Sequence, residues 1–278
     1  VEAGIPDPGS PYAAEGTLAH SIAELKLRKA FIEPMGPKKF ANRLKKLQED
    51  PVYDPEMLSH TDAYLDYIKG IVHGFDSKPY VAAETQLDLS SIAPGCFGTA
   101  DCLIIGGGEL HVVDFKYGKG KQVDAEENPQ LRLYGIGAVL ANSLFYDIHT
   151  VHLHIFQPRL GHVSTETLSR DRLMDWGVFQ VKPKAKDAYA GPGEHLAGDW
   201  CQFCRAKGRC RRCRSGGRPA RGERGLRGPA AAADGTEIVD QPGGGRRPAP
   251  APGWGGNHWV QTGGGAECPA MEGSGRRF

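Results

Sequence analysis

The stretch "GTADCLIIGGGELHVVDFKY", residues 98–117, decides how the chain is read. Two apolar runs flank Gly106-Gly107-Gly108, and a tight glycine turn between two such runs predicts an antiparallel hairpin. Asp101 is expected to open the first strand. On the second, residues two apart share a face, so Asp114 and Lys116 project together while Val113 and Phe115 bury on the other side. Alone, that pair reads as an ion pair at a strand end. The hairpin also brings Asp101 near Asp114, and two adjacent carboxylates raise each other's pKa unless a cation sits between them. Hard oxygen ligands of this kind suit Mg²⁺ or Mn²⁺.

Working outward, Ser10-Pro11 has the form of an N-cap followed by proline at the first helical position. Leu18, Ile22 and Leu25 continue a helical stripe, with His20 on its polar side, where a lone histidine is ordinarily solvated or capped. A second helix is predicted over 56–74, with Leu65, Ile68 and Val72 on one side. In "YVAAETQLDL", residues 80–89, Val81, Ala83, Thr85, Leu87 and Leu89 alternate against Glu84, Gln86 and Asp88, which predicts a strand. Asn128-Pro129 opens a helix to about Phe145, on which Gln130 and Tyr134 share a face. "HTVHLHIFQP", residues 149–158, is a strand whose Val151, Leu153 and Ile155 take the core face. That places His152 and His154, with His149 nearby, on its outer side. A last helix begins near Ser169. The order α, α, β, β, β, α, β, α predicts an α/β fold with a mixed central sheet flanked by helices.

Of the 278 residues, 40% are hydrophobic, enough for a core of domain size. The formal net charge is +1, so a nucleic-acid partner has to be inferred from local patches. Lys38, Lys39, Arg43, Lys45 and Lys46 form one such cluster, Lys119 and Lys121 a second, and Lys182, Lys184 and Lys186 a third. Each reads equally as a solvated face. No apolar run approaches the roughly 20 residues of a membrane span, and the first residues lack the pattern of a signal peptide. The absent initiator methionine is compatible with a fragment.

Cys201, Cys204, Cys210 and Cys213 bunch together, which without a secretion signal favours metal ligation over disulfides. Cys96 and Cys102 read as loop and core residues. From about residue 214 the text turns to Arg, Gly and Pro, and no lysine follows Lys207. This stretch reads either as a disordered tail or as a GC-rich gene out of frame; the loss of lysine and of apolar period favours the second. The expected organisation is therefore a core over 1–200, a cysteine cluster over 201–213 and a low-complexity tail over 214–278.

Taken in order, helical His20, "GTAD" ending at Asp101, "DFK" at 114–116 and "QLRLY" at 130–134 resemble the RecB-type branch of the PD-(D/E)xK nucleases. That branch carries a helical His, a G-x-x-D, a D/E-x-K and a Q-x-x-x-Y. The wider text is similar to a phage and prophage family of such proteins over residues 1 to about 211. The resemblance implies a restriction-endonuclease-like core and an exonuclease-like, metal-dependent deoxyribonuclease in the cytoplasm of a bacterial host. Its partners would be DNA and phage recombination or replication proteins.

His20, Asp101, Asp114 and the backbone carbonyl of Phe115 would then hold Mg²⁺ or Mn²⁺, the imidazole tilting preference toward Mn²⁺. Lys116 would serve the transition state, and Gln130 and Tyr134 would position Lys116 or the DNA backbone. Glu84 is a weaker candidate for supporting the metal. CRISPR-associated RecB-like exonucleases join three C-terminal cysteines to one upstream in a [4Fe–4S] cluster. Here Cys201, Cys204 and Cys210 match, no cysteine precedes His20, and Cys213 is a possible fourth ligand. The alternative reading is a non-catalytic nucleic-acid-binding or recombination adaptor that retains the nuclease fold.

Overall fold

The computed structural model describes residues 11–191 together with 201, 204, 206 and 208–210. Residues 11–191 lie in one compact unit, and Cys201, Cys204 and Cys210 in another. Ser10, Cys213 and the whole stretch from 214 lie outside the described residues.

Helix α1 (Pro11–Leu27) runs into a π-helical segment (Arg28–Ile32) and is followed by α2 (Pro37–Gln48) and α3 (Glu56–His73). Three strands come next: β1 (Tyr80–Asp88), β2 (Phe97–Gly106) and β3 (Glu109–Phe115). Helix α4 (Pro129–Asn142) crosses over to β4 (Thr150–Gln157), and β5 (His162–Ser169) completes the sheet. The described core ends in α5 (Arg170–Asp175), a π-helical segment (Trp176–Val181) and α6 (Lys182–Ala190). The fold is α/β, with one five-stranded mixed sheet in the order β1-β2-β3-β4-β5. β3 and β4 pair in parallel, and the other neighbours are antiparallel.

Each element has a local cause. Gly107 and Gly108 take φ of 54° and 82°, a conformation side chains resist, and so close the β2–β3 hairpin. The Asn128 side chain accepts from the amides of Gln130 and Leu131, satisfying donors at the start of α4 that no helical carbonyl can reach. Ser169 does the same for Arg172 at the start of α5.

Both faces of the sheet are covered. On one, Leu103, Ile105, Leu110, Val112, Val151, Leu153 and Ile155 pack against α4 and α5 through Leu131, Ile136 and Leu173. On the other, Cys102, Ile104, Val113, Phe115 and Phe156 pack against α1 and α3 through Leu18, Ile22, Tyr64 and Ile68. Successive residues of β3 therefore serve different cores, which is why the run looks continuously apolar.

The structure corrects several expectations. β2 begins at Phe97, so Asp101 lies within the strand rather than opening it. Helix α2 and strand β5 were not foreseen. In α2 the lysines mask a stripe of Phe40, Leu44 and Leu47, the last two packed on the α1–α3 core. β5 is an edge strand of mostly polar residues, which carries little alternation. His154 is buried, not on an outer face, because α3 covers that side with Tyr67. The single-faced alternation expected for residues 80–89 also fails: Ala83 joins one core, while Leu87 and Leu89 join the other. The break occurs at Glu84.

Candidate active site

Glu84 has φ 47°, a left-handed conformation that is uncommon for a residue with a side chain. The β1–β2 ladder pairs Ala83 with Cys102 and Thr85 with Ala100, and skips the Glu84–Asp101 position between them. One such residue reverses the facing of the strand beyond it, which accounts for the change of core after Glu84. Backbone departures of this kind cost on the order of 1–3 kcal/mol and concentrate where function requires them.

At that position three side chains from three elements meet. His20 of α1 places Nδ1 3.2 Å from Asp101 Oδ1 and 4.0 Å from Glu84 Oε1. One ligand-type atom from each of His20, Glu84 and Asp101 lies within 4.8 Å of the other two. His20 is only 5% exposed, so the solvated reading of this histidine is overturned. Ala19 and Ala23 beside it are buried as well, because α1 is enclosed beyond its leucine stripe.

Asp101 Oδ2 accepts from the Phe115 amide at 2.7 Å, tying the β2 carboxylate to the end of β3. One residue earlier, Asp114 Oδ2 stands 3.0 Å from Lys116 Nζ. The two groups form a buried ion pair. The expected sharing of a face by Asp114 and Lys116 holds. Lys116 Nζ donates to Gln130 Oε1 at 3.2 Å, and Gln130 Nε2 donates to the Tyr134 hydroxyl at 2.8 Å.

The Tyr134 ring in turn lies over Gly98, where a Cβ would stand 2.4 Å from Cε1. Glycine is thus required at that point of "GTAD" by the tyrosine of "QLRLY". No single stretch of sequence carries that link.

Burial disfavours the charged forms of His20, Glu84, Asp101 and Asp114, and the neighbours decide the outcome. For Asp101 burial is more than offset by His20, by Lys116 and by the Phe115 amide, so its pKa is lowered. For Asp114 burial prevails over Lys116, with Asp101 adding repulsion, and its pKa is raised. Burial and then Asp101 push Glu84 up to about 8, against the pull of His20. His20 is disfavoured as imidazolium by burial, yet Asp101 first, then Asp114 and Glu84, raise its pKa. Three carboxylates thus exceed what one imidazole and one lysine can hold ionised, and Glu84 keeps its proton instead.

The donor set fits a hard divalent ion: carboxylate oxygens of Asp101 and Glu84 with one imidazole nitrogen, His20 Nδ1, facing them. The distortion at Glu84 makes it a third carboxylate of the cluster, more central than its place on a strand suggests. Its signal in the sequence is faint, a lone glutamate in a strand opposite the GTAD aspartate.

The basic clusters fall on α2, on the β3–α4 connection and on α6. In the first, Lys39 and Arg43 are partly neutralised by Glu33 at 2.6 and 3.5 Å. Among the cysteines, the Cys204 amide donates to the Cys201 carbonyl at 3.3 Å and the Cys210 amide to that of Ala206 at 2.8 Å. The described groups of three residues close enough to share an ion are His20–Glu84–Asp101 and Glu109–His111–His152. Cys213, the possible fourth ligand of an iron–sulfur cluster, lies outside the described residues. No helix among the described residues is long and apolar enough to cross a membrane.

Among solved structures, the chain is similar to one described as "Crystal structure of SSO0001", at 12% identity and a TM-score of 0.27. That alignment covers 74% of this chain and 98% of the other. Residues 1–221 match the family described as "Protein of unknown function (DUF2800)", most of the chain, and the protein belongs to that family.

Proposed function

We propose that this protein is a metal-dependent DNA nuclease of phage or prophage origin, with a PD-(D/E)xK-type, RecB-like centre that hydrolyses phosphodiester bonds in an exonuclease-like manner. The observation that carries the reading is the buried cluster of His20, Glu84 and Asp101, with Asp114 and Lys116 beside it. A purely structural network has no need of a third carboxylate here, yet the β1 backbone departs from strand geometry to bring Glu84 to His20 and Asp101.

His20, Asp101 and Asp114 would hold Mg²⁺ or Mn²⁺, supported by Glu84 and by the Phe115 carbonyl. Bound there, the ion supplies an acidified water and neutralises charge on the scissile phosphate. The remaining work falls to side chains. Lys116 places an ammonium beside Asp114, where it orients the water and stabilises the charge that grows on the phosphate oxygens. Gln130 positions Lys116 by accepting from Nζ, and Tyr134 fixes the Gln130 amide. The Asp101–Phe115 hydrogen bond sets the spacing between the two carboxylate-bearing strands.

Labelled single- and double-stranded DNA incubated with Mn²⁺, Mg²⁺ or EDTA tests the proposal. Cleavage that requires a divalent ion supports it. Tight DNA binding with no cleavage under any of these conditions overturns it in favour of the adaptor that retains the fold. Phage recombination or replication proteins are the further partners this reading implies.

A further inference from the structure

The second cluster lies on the opposite face of β3 and is independent of the nuclease reading. The parallel β3–β4 register sets His111 beside His152 and Val113 beside His154. The antiparallel β4–β5 register sets His152 beside Thr167 and His154 beside Thr165. Three imidazoles therefore stack on the face covered by α3, with ring centroids 4.4 Å apart for His111–His152 and 5.2 Å for His111–His154. Glu109, at the start of β3, reaches back over them.

We propose that Glu109, His111 and His152 form a binding site for one divalent transition-metal ion of the Zn²⁺ type, separate from the carboxylate site. Glu109 Oε2 is 3.4 Å from His111 Nε2 and 3.7 Å from His152 Nε2. Zn–N and Zn–O bonds of roughly 2.0–2.2 Å in a tetrahedron put neighbouring ligand atoms about 3.3–3.5 Å apart, close to both Glu109 distances, and the two stacked rings need to tilt from their 15° interplanar angle to aim both lone pairs at the ion. Two imidazoles and a carboxylate suit zinc, not magnesium. With three protein ligands, one position stays open, and Glu109, 46% exposed at its side chain, leaves an entry path.

The other ring nitrogens are already held, as ligand histidines require. His152 Nδ1 is 3.0 Å from Thr167 Oγ1, and His111 Nδ1 is 3.0 Å from His154 Nε2. His154 Nδ1 meets the Tyr67 hydroxyl at 2.9 Å and Thr165 Oγ1 at 3.0 Å, so it steadies His111 from behind. The nitrogen facing the proposed ion, His152 Nε2, is buried with no hydrogen-bond partner. Burial also keeps these rings neutral, the form that binds metal. It pushes His111 down to about 4, helped by His152 and opposed by Glu109, and lowers His152. An ion here would stitch the start of β3 to β4, the parallel pair that no hairpin connects.

The test uses the full chain, loaded with Zn²⁺, dialysed and assayed for metal by mass spectrometry, beside Glu109→Gln, His152→Ala and Asp101→Asn. Wild type should retain one more equivalent of zinc than Glu109→Gln or His152→Ala. Asp101→Asn should keep that equivalent, and so should protein washed in excess Mg²⁺. Thiol-bound zinc elsewhere is common to all variants and cancels in the difference. Loading with Co²⁺ should give a visible ligand-field component, beyond any thiolate-bound Co²⁺ common to all the proteins, that both variants lose. Thr167→Val, which removes only the partner of His152 Nδ1, should weaken binding by about 10–100-fold. Equal zinc in wild type, Glu109→Gln and His152→Ala overturns the site. Should His152→Ala fail to fold, the half-exposed Glu109→Gln alone decides.

Discussion

Replacing Gly98 with alanine tests the link between the strand that carries Asp101 and the helix that carries Gln130 and Tyr134. The new methyl would stand 2.4 Å from Tyr134 Cε1 and 3.0 Å from Cδ1, inside any tolerable contact. Tyr134 is buried, so its ring cannot swing into solvent. Overpacking of this kind costs about 1–3 kcal/mol. Stiffening the unfolded chain returns roughly 0.4–1 kcal/mol where the backbone accepts alanine, leaving a net loss of up to about 2.6 kcal/mol with a midpoint of about 1.3 kcal/mol. For a core of this size each kcal/mol lowers the melting temperature by about 2–4 °C. Moving the ring also pulls the Tyr134 hydroxyl from Gln130 Nε2, and so frees the amide that accepts from Lys116. Urea unfolding measures the first effect and the DNA cleavage rate the second. In a Tyr134→Leu background, where no ring remains to clash, Gly98→Ala should cost much less. A Gly98→Ala protein as stable as wild type, or an equal loss in both backgrounds, would refute the packing argument.

Two further outcomes follow from the site and from the cysteines. In EDTA, folded Glu84 holds its proton up to about pH 8, whereas the unfolded chain releases it near its ordinary 4.5. The folded state thus binds more protons between these values, so metal-free stability falls as pH rises through them. Mn²⁺ has to displace that proton, and its apparent affinity climbs over the same window. Thermal melts of wild type and Glu84→Gln across the range check this, and parallel profiles contradict it. For the cysteines, anaerobically purified protein of this sequence should carry far fewer than four irons. Four per chain would show that Cys213 completes a cluster with Cys201, Cys204 and Cys210.

The hairpin was legible because Gly107 and Gly108 occupy backbone conformations that side chains resist. The start of α4 was legible because Asn128-Pro129 is a cap with a stated donor count. His20, Asp101, Asp114, Lys116, Gln130 and Tyr134 were named from their order along the chain. The structure brings His20 to Asp101, and Lys116 to Asp114 and Gln130.

What the sequence hid has physical causes. The reversal at Glu84 leaves the apolar letters of β1 unchanged while sending them to different cores. Five basic residues on α2 drowned the spacing of Phe40, Leu44 and Leu47. His111 lies 41 residues before His152 in the chain, and only the parallel register of β3 and β4 makes them neighbours. His149, the histidine nearest that strand's start in the sequence, is instead exposed beside Asp147.

The most direct test of the central claim is the Mn²⁺-dependent cleavage rate of labelled DNA by wild type, Asp114→Asn and Lys116→Ala, with DNA affinity measured alongside. Asp114→Asn removes the carboxylate paired with Lys116, and Lys116→Ala removes the ammonium 3.0 Å from it. The account predicts metal-dependent cleavage by wild type. Lys116→Ala should lose at least about 10²–10³-fold, the usual contribution of one such charge-stabilising donor. Asp114→Asn should be inactive, and both variants should bind DNA nearly as well as wild type. Wild-type cleavage rates in both variants would contradict the account.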